Sequence, residues 1–227
     1  MRISKFFILI LPFLCAGVVS AHQPRLVESE NVVIENPEVS QAFYGELVGE
    51  PAFYELESEN PFDLYVAILV PDVPGVSKDV SAEISREGNG GFSVFLDGEN
   101  FEWTEYYEEH AGDNYFSGPY FSDENKDELH PKGVRVSEGK YVIKVSNLSN
   151  QGKYVLVVGD TESFPLREIA RTVTVMPGLK KYFEKSIFES FSTPTMVRFL
   201  LVVIVALVAM ITLVWWIVKL IRRRLSA

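Results

Sequence analysis

The chain has 227 residues, with 31 Asp and Glu against 21 Lys and Arg and a formal net charge of −10. Hydrophobic residues make up 47%, enough for a sizeable core, while the acidic balance argues against a nucleic-acid-binding surface. A single cysteine, Cys15, excludes an intrachain disulfide framework and a cysteine metal cluster.

At the start, Arg2 and Lys5 precede the apolar run Phe6–Leu14, and Val19-Ser20-Ala21 supplies small residues before a polar sequence. These three parts predict a secretory signal peptide over residues 1–21, cleaved after Ala21. The alternative is an uncleaved anchor. Leu14 stands where a lipoprotein signal needs a small residue before Cys15. Cleavage removes Cys15 and leaves His22 first. An N-terminal histidine offers amine and imidazole together, a copper(II) chelate that His110 or His130 would complete. The competing reading is an incidental first residue in a flexible leader.

Residues 22–194 carry every acidic residue but only 14 of the basic ones, a formal charge of −17. Such a surface attracts cations or basic partners, or simply keeps the domain soluble. Residues 22–40 read as a leader and a first strand, Asn31–Glu35. Residues 41–164 read as one domain of short strands: Gln41–Gly49, Ala52–Ser58, Phe62–Val70, Asp79–Arg86 and Phe92–Asp97. In Phe62–Val70, Phe62, Leu64, Val66, Ile68 and Val70 alternate with the opposite face, the period of a half-buried strand. Pro71-Asp72-Val73-Pro74-Gly75 stops it. Many short strands with turn punctuation predict an all-β antiparallel sandwich.

The stretch from Asp97 to Leu129 holds eleven acids and one base, Lys126, interleaved with aromatics. It reads as a long loop whose aromatics cover the sandwich while its acids face water. Two functional readings compete. Asp97, Glu99 and Asp113 offer hard oxygen ligands for calcium, though no spaced calcium motif is complete. Trp103, Tyr106, Tyr107, Tyr115 and Tyr120 offer an aromatic patch for a glycan or peptide.

A near repeat follows. Gly139-Lys140-Tyr141-Val142-Ile143-Lys144-Val145 returns as Gly152-Lys153-Tyr154-Val155-Leu156-Val157-Val158. The two runs are expected to pair as an antiparallel hairpin, with Tyr141, Ile143 and Val145 on one face and Tyr154, Leu156 and Val158 on another. With Phe62-Asp63-Leu64-Tyr65-Val66 upstream, residues 40–160 resemble the bacterial pre-peptidase C-terminal β-sandwich. That resemblance implies a jelly-roll-like accessory domain without catalytic residues of its own, here with no enzyme domain attached and with the acidic stretch inserted. Asn147-Leu148-Ser149 is a glycosylation sequon.

Residues 165–194 change character. Leu166–Val173 predicts a short helix broken at Met176-Pro177-Gly178. Leu179, Tyr182, Phe183, Ser186, Ile187 and Phe191 then recur at helical spacing. Such a helix before a span lies on the membrane or packs on its own domain, and the nearness of the span favours the membrane. Residues 195–218 include twenty uncharged residues, 199–218, long enough as a helix for the roughly 30 Å hydrocarbon core. Thr193 and Pro194 suit a helix start. Trp215 and Trp216 suit the interface, and Lys219, Arg222, Arg223 and Arg224 in the tail 219–227 mark the cytoplasmic side.

No HExxH, GxSxG, P-loop or dinucleotide fingerprint occurs, so no enzyme and no cofactor is predicted. The sequence predicts a single-pass cell-membrane protein whose β-sandwich lies outside and whose tail is cytoplasmic. Its role is a non-enzymatic binding module, with calcium or copper binding as the alternative. Expected partners are membrane lipid and another protein or a surface glycan, not nucleic acid.

Overall fold

The computed structural model describes residues 22–88, 91–108, 112–123, 132–163, 165–186 and 194–225. The predicted signal peptide, His110 and His130 lie outside them. The chain divides into two units, one holding all the β structure and the other a C-terminal helix.

Alternating apolar residues sort the strands into two open sheets. The first has the spatial order β1 (Gln23–Leu26), β3 (Gln41–Val48), β13 (Gln151–Val158), β6 (Val66–Pro71), β10 (Asp113–Phe121), β9 (Thr104–Glu108). The second runs β2 (Asn31–Ile34), β4 (Ala52–Ser58), β12 (Gly139–Ser146), β7 (Ser81–Arg86), β8 (Ser93–Leu96). A short pair, β5 (Phe62–Leu64) and β11 (Val134–Val136), stands apart. The predicted Phe62–Val70 strand is therefore two strands, interrupted at Tyr65.

The inner faces meet in one core. Phe43, Ile68, Tyr154 and Leu156 come from the first sheet, and Tyr54, Leu56, Ile84 and Ile143 from the second. Burying each such side chain contributes about 1.5–3 kcal/mol, which is how a domain without disulfides holds together. The Tyr54 and Tyr154 hydroxyls bond across the sheets at 2.8 Å, so the two phenols in the middle of the core leave no orphaned polar atom. The all-β sandwich follows from the sequence alternation as expected.

Three expectations are corrected. First, β12 and β13 are not a hairpin. β12 pairs with β4 and β7, while β13 pairs with β3 and β6. The near repeat forms the middle strand of each sheet, and Tyr141, Ile143, Val145, Tyr154, Leu156 and Val158 all enter the same core from opposite sides. The Asn147 side chain secures the turn between them, donating to Asp79 Oδ1 and to the Gln151 carbonyl, each at 2.9 Å.

Second, the acidic stretch is not a loop throughout. It supplies β9 and β10, which pair with continuous register from Asp113↔Glu108 to Ser117↔Thr104. β10 also pairs with β6, with a register shift between Ser117 and Tyr120. Gly118 lies in that irregularity because a Cβ there would collide with the Trp103 ring.

Third, Pro177 does not break the helix. α1 (Leu166–Tyr182) runs through it. Tertiary packing overrides the lost hydrogen bond: Gly178 admits Leu26 of β1 where a Cβ would clash, and Arg25 meets Glu168 at 2.9 Å. The C-terminal end of α1 packs on the sandwich rather than being left for lipid. Leu179 and Phe183 are buried, and the Tyr182 hydroxyl donates to the carbonyls of Gly45 (2.9 Å) and Tyr154 (2.6 Å).

In the second unit, α2 (Pro194–Leu225) is a helix of 32 residues beginning at Pro194. Among the described residues no helix is long and apolar enough to cross a membrane. Six of the twenty residues 199–218 have side chains outside that description, so the spanning expectation rests on the sequence.

Candidate functional site

Strand periodicity gives the first sheet an outer face as well as an inner one. Tyr44 of β3, Val155 and Val157 of β13, Ala67 and Leu69 of β6, and Tyr115 of β10 point outward. The end of α1 covers part of this face: Phe183 packs edge-on against Tyr115 at 5.1 Å, and Tyr182 against Tyr44 at 5.5 Å. The rest stays open as a groove of about 530 Å³.

Tyr65, Ala67 and Leu69, Tyr106 of β9, Tyr120 of β10, and Lys132, Asp160 and His22 line it. Tyr106 and Tyr120 are 49% and 51% exposed. Tyr106 enters the groove because it shares a face with its register partner Tyr115, the rings lying 6.1 Å apart. Tyr120 follows the bulge, which returns it to the outer face opposite Ala67.

The electrostatics are mixed. Asp160 Oδ2 accepts from the Gly133 amide at 2.9 Å and lies 3.8 Å from Lys132 Nζ. Desolvation, followed by Tyr120, Asp160 and Tyr106, pushes the Tyr65 phenol up to about 12. The His22 ring Nδ1 bonds the Ser40 hydroxyl. Desolvation lowers its pKa, with Glu162 opposing. In the core, burial likewise raises Tyr154 to about 12.

An alkaline limit follows. An unfolded tyrosine ionises near pH 10, so above that the unfolded chain loses phenolic protons before the folded one. The stabilisation is complete below pH about 10 and is lost as pH rises through about 12. Melting temperature is expected to fall steeply across that window. Phenolate absorbance should show a component near the upper end that shrinks by one tyrosine in Tyr65→Phe and keeps the Tyr154 contribution. A flat stability profile through the window would remove this account.

Of the five aromatics singled out in the sequence, only Tyr106 and Tyr120 line the groove. Tyr115 is structural, buried beneath Phe183 and bonded to the Tyr44 hydroxyl at 3.2 Å. Trp103 donates to the Gly98 carbonyl at 2.8 Å and packs against the core. Tyr107 belongs to the opposite face of β9. Tyr65, Lys132 and Asp160 are not among the sequence candidates. For Tyr65 the available signal is its place in the alternating run, on the face opposite the apolar one.

The acidic candidates are engaged elsewhere. Asp97 accepts from Asn100 and Glu99 within its own turn, and the bonds from Asn100 hold its pKa below the ordinary value. Glu99 is exposed. Asp113 is buried and takes the ammonium groups of Lys180, at 2.7 Å to each carboxylate oxygen, and of Lys185 at 3.1 Å. Among the described residues no group of three or more His, Cys, Asp or Glu is placed to hold a metal ion. In the other unit, Trp215 and Trp216 are exposed and Lys219 Nζ lies 4.7 Å from the Trp215 ring. Arg222 is exposed, and the side chains of Arg223 and Arg224 lie outside the description.

No family model and no curated protein matches the sequence. Among solved structures, the chain is similar to the pre-peptidase C-terminal domain of a collagenase from Bacillus anthracis, with 8% identity and a TM-score of 0.31, covering 61% of this chain and 95% of that one. It is also similar to CorA, a surface-associated copper-binding protein of Methylomicrobium album BG8, with 10% identity and a TM-score of 0.27, covering 61% of this chain and 100% of that one. At these levels neither protein's chemistry transfers to this chain.

Proposed function

We propose that this protein is a membrane-anchored binding module: α2 crosses the bilayer, and the sandwich presents the tyrosine-lined groove outside the cell membrane. The observation that carries the binding reading is the open part of the outer face, where Tyr65, Tyr106 and Tyr120 converge beside Lys132 and Asp160. Monomeric domains rarely leave aromatic faces exposed without use, and a few polar groups around an apolar floor are how such sites fix a ligand. The groove's polar groups are phenols, the Lys132 ammonium, the Asp160 and Glu162 carboxylates and the His22 imidazole bonded to Ser40, a set that can fix a ligand by hydrogen bonds and charge.

The anchor reading rests on the uncharged run 199–218, on Trp215 and Trp216, and on the basic residues from Lys219 to Arg224. The sequence resemblance to the pre-peptidase C-terminal sandwich, carried by Phe62–Val66 and the near repeat, fits an accessory binding domain of this kind. One experiment addresses both halves. The full chain, with a tag after Ala227, is expressed in cells and exposed to external protease. The sandwich is digested and the tag survives. The same chain in lipid nanodiscs is then screened against peptide and glycan arrays, and Tyr106→Ala with Tyr120→Ala removes the captured signal. A protected sandwich overturns the orientation, and capture that ignores both tyrosines overturns the groove.

A further inference from the structure

We propose that β9 is a docking strand, to whose open edge an extended segment of a partner protein bearing lysine or arginine adds, seating one side chain in the tyrosine groove. The proposal rests on the binding reading above and names its ligand class.

Among the described residues β9 ends the six-stranded sheet and pairs with β10 alone. The opposite sheet has five strands and ends at β8, which neighbours β10. β9 therefore overhangs the sandwich, and its tyrosines are exposed on both faces, Tyr106 at 49% and Tyr107 at 51%. An edge strand offers a row of backbone donors and acceptors, and proteins usually blunt it with proline, lysine, a bulge or a covering element. Thr104–Glu108 has no proline and no lysine, and its register with β10 is continuous. An edge left in this state is suited to strand addition, in which main-chain bonds give affinity and alternate side chains give selectivity.

Charge selects the occupant. Glu102 and Glu105 are exposed, the first just before the strand and the second within it. A second copy would bring two sets of these carboxylates alongside each other, so self-pairing is disfavoured. A cationic segment is complementary, and tyrosine faces attract ammonium and guanidinium groups. A residue of the added strand facing outward lies beside Tyr106, at the mouth of the groove.

The test uses the full chain in lipid nanodiscs and a library of synthetic extended peptides randomised at alternate positions. Lysine and arginine are expected to be enriched. The selected peptide, measured by fluorescence anisotropy, weakens about tenfold against Glu105→Lys and loses binding when its backbone is N-methylated along one edge. It also weakens against Tyr120→Ala. Enrichment of acidic residues, or an N-methylated peptide that binds as well as its parent, overturns strand addition. If Tyr120→Ala still weakens binding in that case, the groove reading survives alone. Capture of a neutral oligosaccharide with no peptide enriched overturns the ligand class. Binding that neither Glu105→Lys nor Tyr120→Ala alters overturns both readings.

Discussion

Replacing Asp113 with alanine is expected to cost about 3–5 kcal/mol, the usual consequence of removing one partner from a buried ion pair. Lys180 is 1% exposed, and both of its short contacts to Asp113 are at 2.7 Å. Lys185 reaches the same carboxylate and also donates to the Gly112 carbonyl at 2.9 Å. Without the carboxylate, two ammonium groups remain close together where water cannot easily screen them. The end of α1 would lift from the sheet, uncovering Tyr115 and Tyr44. Denaturant titration of the sandwich unit measures the loss, and hydrogen exchange locates it in α1. Pairing Asp113→Ala with Lys180→Met should recover much of the stability, because an apolar replacement for a buried pair is often neutral or better. A loss below about 1 kcal/mol in the single variant would mean that the pair is not desolvated as described.

Leu156→Ala is the second large effect, expected at about 2–5 kcal/mol. Leu156 is fully buried in β13, flanked in the sheet by Phe43 of β3 and Ile68 of β6, and it belongs to the core shared with β4 and β12. Both neighbouring strands are fixed by their own ladders, so the site collapses poorly around a cavity. Leu148→Ala, in the turn before β13 and 94% exposed, serves as the control and should change little. Equal effects at the two positions would contradict the facing of β13.

The alternation that marks Leu156 as buried shows which parts of the fold are legible in the sequence. A period of two says which residues face a core, and it places Tyr141, Ile143, Val145, Tyr154, Leu156 and Val158 there. It does not say on which side of the core a strand lies. A hairpin and two central strands facing each other bury the same alternate residues, so periodicity alone cannot separate the expected pairing of β12 with β13 from the observed one. The acidic stretch misleads for a different reason. Its charges suggest a loop, yet acids on β9 cost little because both faces of that strand are open. Pro177 predicts a break, but the helix docks through Gly178, Tyr182 and Phe183, contacts that no local pattern contains. The groove is half legible. Tyr106 and Tyr120 stand out as surface aromatics and Tyr65 lies on the outward face of an alternating run, while Asp160 and Lys132 reach it only through strand order.

The two middle strands also govern when the domain can form. β13 is bordered by β3 and β6, and β12 by β4 and β7, so each sheet lacks its central member until residues 139–158 have been made. Earlier strands then have little to close upon. The pairings that complete the first sheet join Gln41 to Val158 and Val48 to Gln151, partners from nearly opposite ends of the domain. Such late, long-range closure makes folding slow and all-or-none, because loop entropy must be met before any sheet is complete. Pairs such as β6 with β10 and β7 with β8 can meet earlier, but neither sheet becomes continuous until the last two strands appear.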